Sequence, residues 1–196
     1  FLREPEHFEF MKTTVLPYIE KTVKDRDARI WCAASSTGQE PYTMAMIIDE
    51  YFGERKKDWD CKILATDIDT DVLTKARAGK YTAEMMKDVP EEWQRKYFIR
   101  LDENTYQVTD KIRSEVVYKK FNLMDPIKYK KPFDLISCRN VMIYFEPETK
   151  NQLIERFYDC TKDGGYLFIG HAENVSKDTR YKYIKPAIYR KMVGIR

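Results

Sequence analysis

Four short apolar runs, spaced so that helical stretches can connect them, constrain this chain more than any other feature. They are residues 28–34, residues 61–66, Phe133–Cys138 and residues 166–170. A contiguous apolar run of this length, bounded by turn formers, reads as a strand buried on both faces, since a strand with one wet face would alternate. After the first run comes a loop of small residues, and Pro41 fits the first turn of a helix carrying Met44, Ile47, Ile48, Tyr51 and Phe52. After the second, Asp67 stops the strand, and Asp69 or Thr70 can cap a helix that runs to Ala78, with Gly79 at its C-terminal stop. Between the third and fourth, Pro147 opens a helix expected to reach Thr161 before Gly164 and Gly165 break it. Buried strands alternating with helices predict an α/β domain with a mostly parallel sheet covered on both faces.

The remaining segments fit around that sheet. Phe8, Met11, Val15, Leu16, Ile19 and Val23 recur at helical spacing, which predicts an amphipathic helix over residues 5–24, bent near Pro17. Two short helical stretches flank Pro90. Residues 105–109 and 116–121 alternate and are rich in Val and Tyr, so residues 97–121 are expected to form a small antiparallel β insertion. A hairpin is expected near the end, over residues 183–191, with Pro186 between its arms.

Composition excludes several classes. The 196 residues suffice for one sizeable core, burying roughly 70% of the unfolded chain's surface. With 43% apolar and 34% charged residues the chain is neither disordered nor fibrous. A mean hydropathy of −0.64 predicts no membrane insertion, and the absence of a signal pattern predicts a cytoplasmic location. Cys32, Cys61, Cys138 and Cys160 form no CxxC pair, so reduced, buried thiols are expected and no metal site. Net charge is +3, but residues 95–131 alone carry ten Lys/Arg against five Asp/Glu. That stretch is either a solvated face or a dock for an acidic partner. Nucleic acid is not expected, since the pI of about 8.5 is modest and no nucleic-acid-binding motif occurs.

In open parallel sheets ligands bind beyond the carboxyl ends of the strands. There the sequence places Ser35-Ser36-Thr37-Gly38-Gln39-Glu40, then Asp67, then Asn122 and Leu123, then Arg139, Asn140 and Tyr144. Asp67 stands where an acid could accept from both hydroxyls of a ribose, although helix capping is its bland alternative. The loop is neither GxGxxG nor a P-loop, which points to a nucleoside ligand without phosphates.

The runs FLREPEHF, IWCAASSTGQEPYTMAM, ILATDIDTDVL, FDLISCRNVMIYF and GGYLFIGHAE resemble, in order and spacing, the motifs of the chemoreceptor glutamate methyltransferase family, CheR. The resemblance spans nearly the whole chain. It implies a Rossmann-like, S-adenosylmethionine-dependent methyltransferase domain over residues 1–196 with a small β insertion, and an N-terminal helical domain lying outside this chain. Leu2 departs from the family's second Phe in FFRE, and the N-x-T pair that usually precedes that element falls upstream. The resemblance also implies that Glu40 lies near the methionine part of the cofactor and Asp67 on its ribose. Asn122 and Leu123 would hold the adenine end, with Cys138, Arg139 and Asn140 lining the floor. The implied product is S-adenosylhomocysteine, and the implied partners are cytoplasmic helices of chemoreceptors met by a monomeric enzyme.

A glutamate carboxylate attacking the sulfonium methyl is already ionised at neutral pH and requires no general base. Positioning is then the main task, and Arg3 and Arg139 are the expected clamps because a guanidinium grips a carboxylate at two points. Arg3 is also expected to touch the cofactor. Tyr144 is expected to orient the same oxygen or to sit beside the sulfonium. His7 and His171 are expected to make structural hydrogen bonds and stay outside the mechanism. Two alternatives remain: a cofactor-binding regulatory module without activity, which would be expected to have lost Arg3, Arg139 or Tyr144, and a methyltransferase for another nucleophile, which would want a base.

Overall fold

The computed structural model describes residues 1–194. The chain opens with α1 (Pro5–Phe10), a π turn (Met11–Val15) and α2 (Leu16–Thr22). Together these form the expected amphipathic helix, and Phe8, Phe10, Met11, Val15, Leu16 and Ile19 are all buried. Pro17 has no N–H for the carbonyl four residues earlier, and the helix accommodates it by widening just upstream, where Leu16 N–H donates to Met11 O.

There follow β1 (Ile30–Cys32), α3 (Gln39–Phe52), β2 (Ile63–Asp67) and α4 (Thr70–Ala78). Asp69 caps α4 by accepting from Asp71 N and Val72 N, and Gly79 ends it at φ 64°. Next come β3 (Lys80–Thr82), α5 (Glu91–Tyr97), β4 (Phe98–Asp102), β5 (Thr105–Val108), α6 (Asp110–Arg113) and β6 (Val116–Lys120). The chain finishes with β7 (Phe133–Cys138), α7 (Pro147–Asp159), β8 (Thr161–Ile169), β9 (Lys182–Lys185) and β10 (Ile188–Arg190). The seven-stranded sheet has the order β6-β2-β1-β7-β8-β10-β9. β1 pairs in parallel with β2 and β7, β2 with β6, and β7 with β8, while β10 returns antiparallel to β8. An apolar cluster covers each face: one gathers α1 to α4 and the small sheet, and the other gathers α7 around Trp31, Ile136 and Leu167.

The insertion differs from its expected bounds. The three-stranded antiparallel sheet has the order β3-β5-β4, and the strand over 116–120 is not part of it. That strand is β6, an edge strand of the main sheet running parallel to β2, with Ile63 opposite Val116 and Asp67 opposite Lys120. Its alternation has a physical cause: Val116 and Tyr118 face the core while Val117, Lys119 and Lys120 face solvent, so an edge strand mimics the antiparallel pattern. The glycine pair was also expected to precede the last parallel strand; instead β8 begins at Thr161 and takes in both, and its register against β7 shifts there. A Cβ at Gly165 would lie 2.9 Å from Lys162 O and 3.0 Å from Phe133 O, so a side chain there would force the backbone to shift.

β6 also divides the basic stretch. Lys119 and Lys120 stand at the carboxyl edge of the sheet, level with Asp67, whereas Lys130 and Lys131 precede β7 and lie at the opposite edge. Lys131 accordingly pairs with Asp27, which precedes β1, at 3.6 Å.

Candidate active site

Where β1, β2 and β7 end, β1 leads outward to β2 on one side while β7 follows on the other, and the crevice between these exits holds a cleft of about 470 Å³. Its size falls in the small-molecule range of roughly 300–1,000 Å³. Ala34, Ser35 and Ser36 enter it from β1, Gln39 and Glu40 from the first turn of α3, and Asp67 from β2. Arg139, Asn140 and Val141 enter from β7, and Phe1, Leu2, Arg3 and Phe8 form the wall ahead of and within α1.

The backbone bends sharply around this cleft. Leu2, Ser36 and Asn140 line it at φ 59°, 49° and 64°, and Glu4 beside it has φ 56°. Side chains seldom occupy that left-handed region, so the surrounding contacts must hold the turns in place. At Asn140 the holder is buried Glu173, whose Oε1 accepts from Asn140 N at 2.7 Å and from Gly170 N at 2.8 Å. Tyr81 of β3 donates to Thr37 O at 2.6 Å, and Phe1 packs edge-on against Tyr81 and Phe98, so the small sheet braces two walls.

Asp67 is arranged as an acceptor with capacity to spare. Oδ2 accepts from Ser36 N and Oδ1 from Asp69 N, each at 3.0 Å, which uses two of about four lone-pair sites. Two sites remain, matching the two hydroxyls of a ribose. Nearby, Ser35 Oγ is buried without a partner and borders the same cleft. These observations fit an adenosine-bearing cofactor, which Asp67 and Ser35 would hold.

Arg139 is more enclosed than a clamp for an incoming group should be. Its side chain is 3% exposed and its fork is already engaged. Nε and Nη2 donate to Glu4 Oε2 at 3.2 and 3.1 Å, Nη2 also donates to Arg3 O, and Nη1 lies 3.6 Å from Glu40 Oε1. Glu40 also accepts from the Ser137 hydroxyl. Burial raises the Glu40 carboxyl above its ordinary value, against the pull of Arg139 and Ser137. At Glu4, burial pushes the same way, but the His171 N–H and the Arg139 guanidinium outweigh it and hold that carboxyl low. Arg3, by contrast, is exposed and pairs with no carboxylate among the described residues.

Of the residues expected at the site, Arg3, Glu40, Asp67, Arg139 and Asn140 therefore converge on one cleft. The others are not brought into its lining. Cys138 is fully buried beneath it, where burial drives the thiol well above its usual value. Asn122 makes a turn after β6, accepting from Met124 N at 2.9 Å, and Leu123 packs into the apolar cluster around α7. Tyr144, in the 3₁₀ turn Met142–Tyr144, is 80% exposed. Sequence reasoning missed Glu4 and Glu173, although both lie inside the motifs FLREPEHF and GGYLFIGHAE.

Comparison with known proteins decides the family. Residues 1–189 match the family model described as CheR methyltransferase, SAM binding domain. The chain belongs to the CheR methyltransferase family. S-adenosylmethionine is accordingly its cofactor, a methyl donor through its sulfonium. Among curated CheR relatives, a chemotaxis protein methyltransferase of Borreliella burgdorferi is 40% identical over 97% of this chain and 69% of its own length. A probable chemotaxis protein methyltransferase of Rhizobium etli is 37% identical over 93% of this chain and 69% of its own. The chemotaxis protein methyltransferase of Escherichia coli is 37% identical over 90% of this chain and 60% of its own. This CheR chain thus spans about 60 to 69% of the length of these relatives. No helix among its described residues is long and apolar enough to cross a membrane.

Proposed function

We propose that this chain transfers the methyl group of S-adenosylmethionine to glutamate carboxylates on the cytoplasmic helices of bacterial chemoreceptors, forming glutamyl methyl esters. The observation that carries this reading is the cleft lining. Among the described residues it contains two guanidinium groups and no His, Lys, Cys or Tyr. Its two carboxylates are already engaged, Glu40 by Ser137 and Arg139 and Asp67 by the Ser36 and Asp69 N–H groups, so neither is set as a base for a neutral nucleophile. A carboxylate acceptor arrives already ionised and needs only to be held in line. Relatives named chemotaxis protein methyltransferases supply the biological setting.

In this reading the two arginines divide the work. Exposed Arg3 meets the acceptor carboxylate, while Arg139, held by Glu4 and Glu40, fixes the wall from which Arg3 projects. Asp67 takes the ribose, and Glu40 faces the cationic amino group of the methionine part. Asn140 shapes the floor. Tyr144 would reach the acceptor only if the turn at 142–144 swings inward on docking. Lys119 and Lys120, at the same sheet edge as the cleft, would favour an acidic helix.

The test uses methyl-labelled S-adenosylmethionine and a receptor cytoplasmic fragment. Label should enter the fragment and leave as methanol in mild alkali, as an ester does and an N-methyl group does not. Label that resists alkali, or that still enters after the acceptor glutamates are changed to Gln or Ala, would refute the carboxylate reading.

A further inference from the structure

Beside the cleft, but outside its lining, the Glu4 carboxylate, the His7 imidazole and the His171 imidazole converge, with one candidate ligand atom of each within 4.8 Å of the others. His7 is fully buried, and its two ring nitrogens both face acceptors. Nε2 lies 3.3 Å from Ala187 O, and Nδ1 lies 3.6 Å from Glu4 Oε2. A neutral imidazole has one N–H to offer, so either tautomer leaves one lone pair turned toward an oxygen. Nδ1 is the nitrogen that has no hydrogen-bond partner while buried. Only Nε2 lies within hydrogen-bond distance of its acceptor, which puts the proton there and turns the bare Nδ1 lone pair toward the carboxylate. A buried lone pair facing a carboxylate asks for a cation between them.

We propose that Glu4, His7 and His171 form a binding site for a divalent transition-metal ion of the zinc class, with His7 Nδ1, a ring nitrogen of His171 and a Glu4 carboxylate oxygen as ligands. Two imidazoles and one carboxylate are the donors such ions prefer over magnesium or calcium. The 3.6 Å between Nδ1 and Oε2 is close to the roughly 3.3 Å edge that bonds of about 2.0–2.1 Å produce around a tetrahedral ion. Outer contacts of the kind found around metal-bound histidine are in place as well. Nε2 is oriented by a backbone carbonyl, and Glu4 Oε2 accepts twice from Arg139, so an ion bound there takes the place of one of those two bonds. His171 is exposed, so it supplies both an entry path and the one ligand that must swing inward. A fourth position is left for water. Because Glu4 also holds Arg139, a metal ion there shares the carboxylate that fixes the cleft wall.

The test uses tag-free protein stripped with a chelator, titrated with Zn²⁺ by calorimetry and with Co²⁺ by visible absorption. One ion should bind per chain, with a Co²⁺ spectrum of low-symmetry nitrogen and oxygen ligation, and His171→Ala should weaken binding at least about tenfold. His171→Ala is the deciding variant because its side chain is exposed, whereas altering buried His7 could unfold the chain. No binding by the parent at micromolar metal would overturn the site. Equal binding by parent and His171→Ala would also overturn it, and a proton would then bridge Nδ1 and Glu4. No readout depends on methyl transfer, so these results stand apart from those on acceptor chemistry.

Discussion

At single residues, Asp67 and Arg139 behave differently when removed. Asp67 holds Ser36 N and Asp69 N and retains two free acceptor sites. Asp67→Ala should therefore weaken S-adenosylhomocysteine binding by roughly 1–3 kcal/mol, because ribose hydroxyls lose a charged acceptor. Calorimetry checks this, and unchanged affinity would reduce Asp67 to a turn former. Arg139 sits between Glu4 and Glu40 with only 3% of its side chain exposed. Truncating it leaves two partly buried carboxylates without their cation, so Arg139→Ala should cost about 1.5–3 kcal/mol of stability in urea unfolding. A loss below about 1 kcal/mol would mean that the pairing contributes little and that Arg139 is free to serve as a substrate clamp.

Between elements, Gly38 is a narrow joint. It ends the loop after β1 at φ 99°, and an added Cβ would lie 2.6 Å from Tyr118 Oη of β6, 3.0 Å from Tyr81 Oη of β3 and 3.1 Å from Ala76 Cβ of α4. Gly38→Ala is expected to destabilise by more than about 1 kcal/mol and to weaken cofactor binding, since the loop it displaces carries Ser36 and Glu40. Wild-type melting and affinity together would show that the joint has slack. Much of this architecture was legible in the chain. Strands buried on both faces announce themselves as unbroken apolar runs, and Asp69 and Gly79 mark their helix by local chemistry. β6 was misplaced because the signal that separates a parallel edge strand from an antiparallel one lies in its partner, Ile63–Asp67, not in its own alternation. The cleft was legible as strand ends, hence Glu40, Asp67 and Arg139. Glu4 and Glu173 were not, because each acts on a residue more than thirty positions away.

For the whole molecule, the sheet sorts the basic stretch into two patches. Lys119 and Lys120 share the edge of the cleft, and Lys130 and Lys131 lie at the other edge. Lys119→Gln with Lys120→Gln should raise the receptor KM at low salt and leave kcat nearly unchanged, with the difference fading as salt rises, since exposed charges are screened within about 8 Å at physiological ionic strength. Lys130→Gln with Lys131→Gln should do neither. Equal behaviour of the two pairs in initial-rate assays would dismiss a directional dock. The wall of the cleft has a further property, which concerns time. Phe8 packs beside His7, whose ring rests against Ala187 O, and Glu4 accepts from His171 N, so the first turn of the chain is completed by residues made about 170 to 180 positions later. A ribosome adding roughly 5–20 residues per second needs about 9 to 36 s to cover that interval. Until the hairpin of β9 and β10 emerges, the growing chain carries the Ser36 loop and Asp67 without their opposing wall, so the nascent protein should acquire its cofactor only after residues 182–190 have been made.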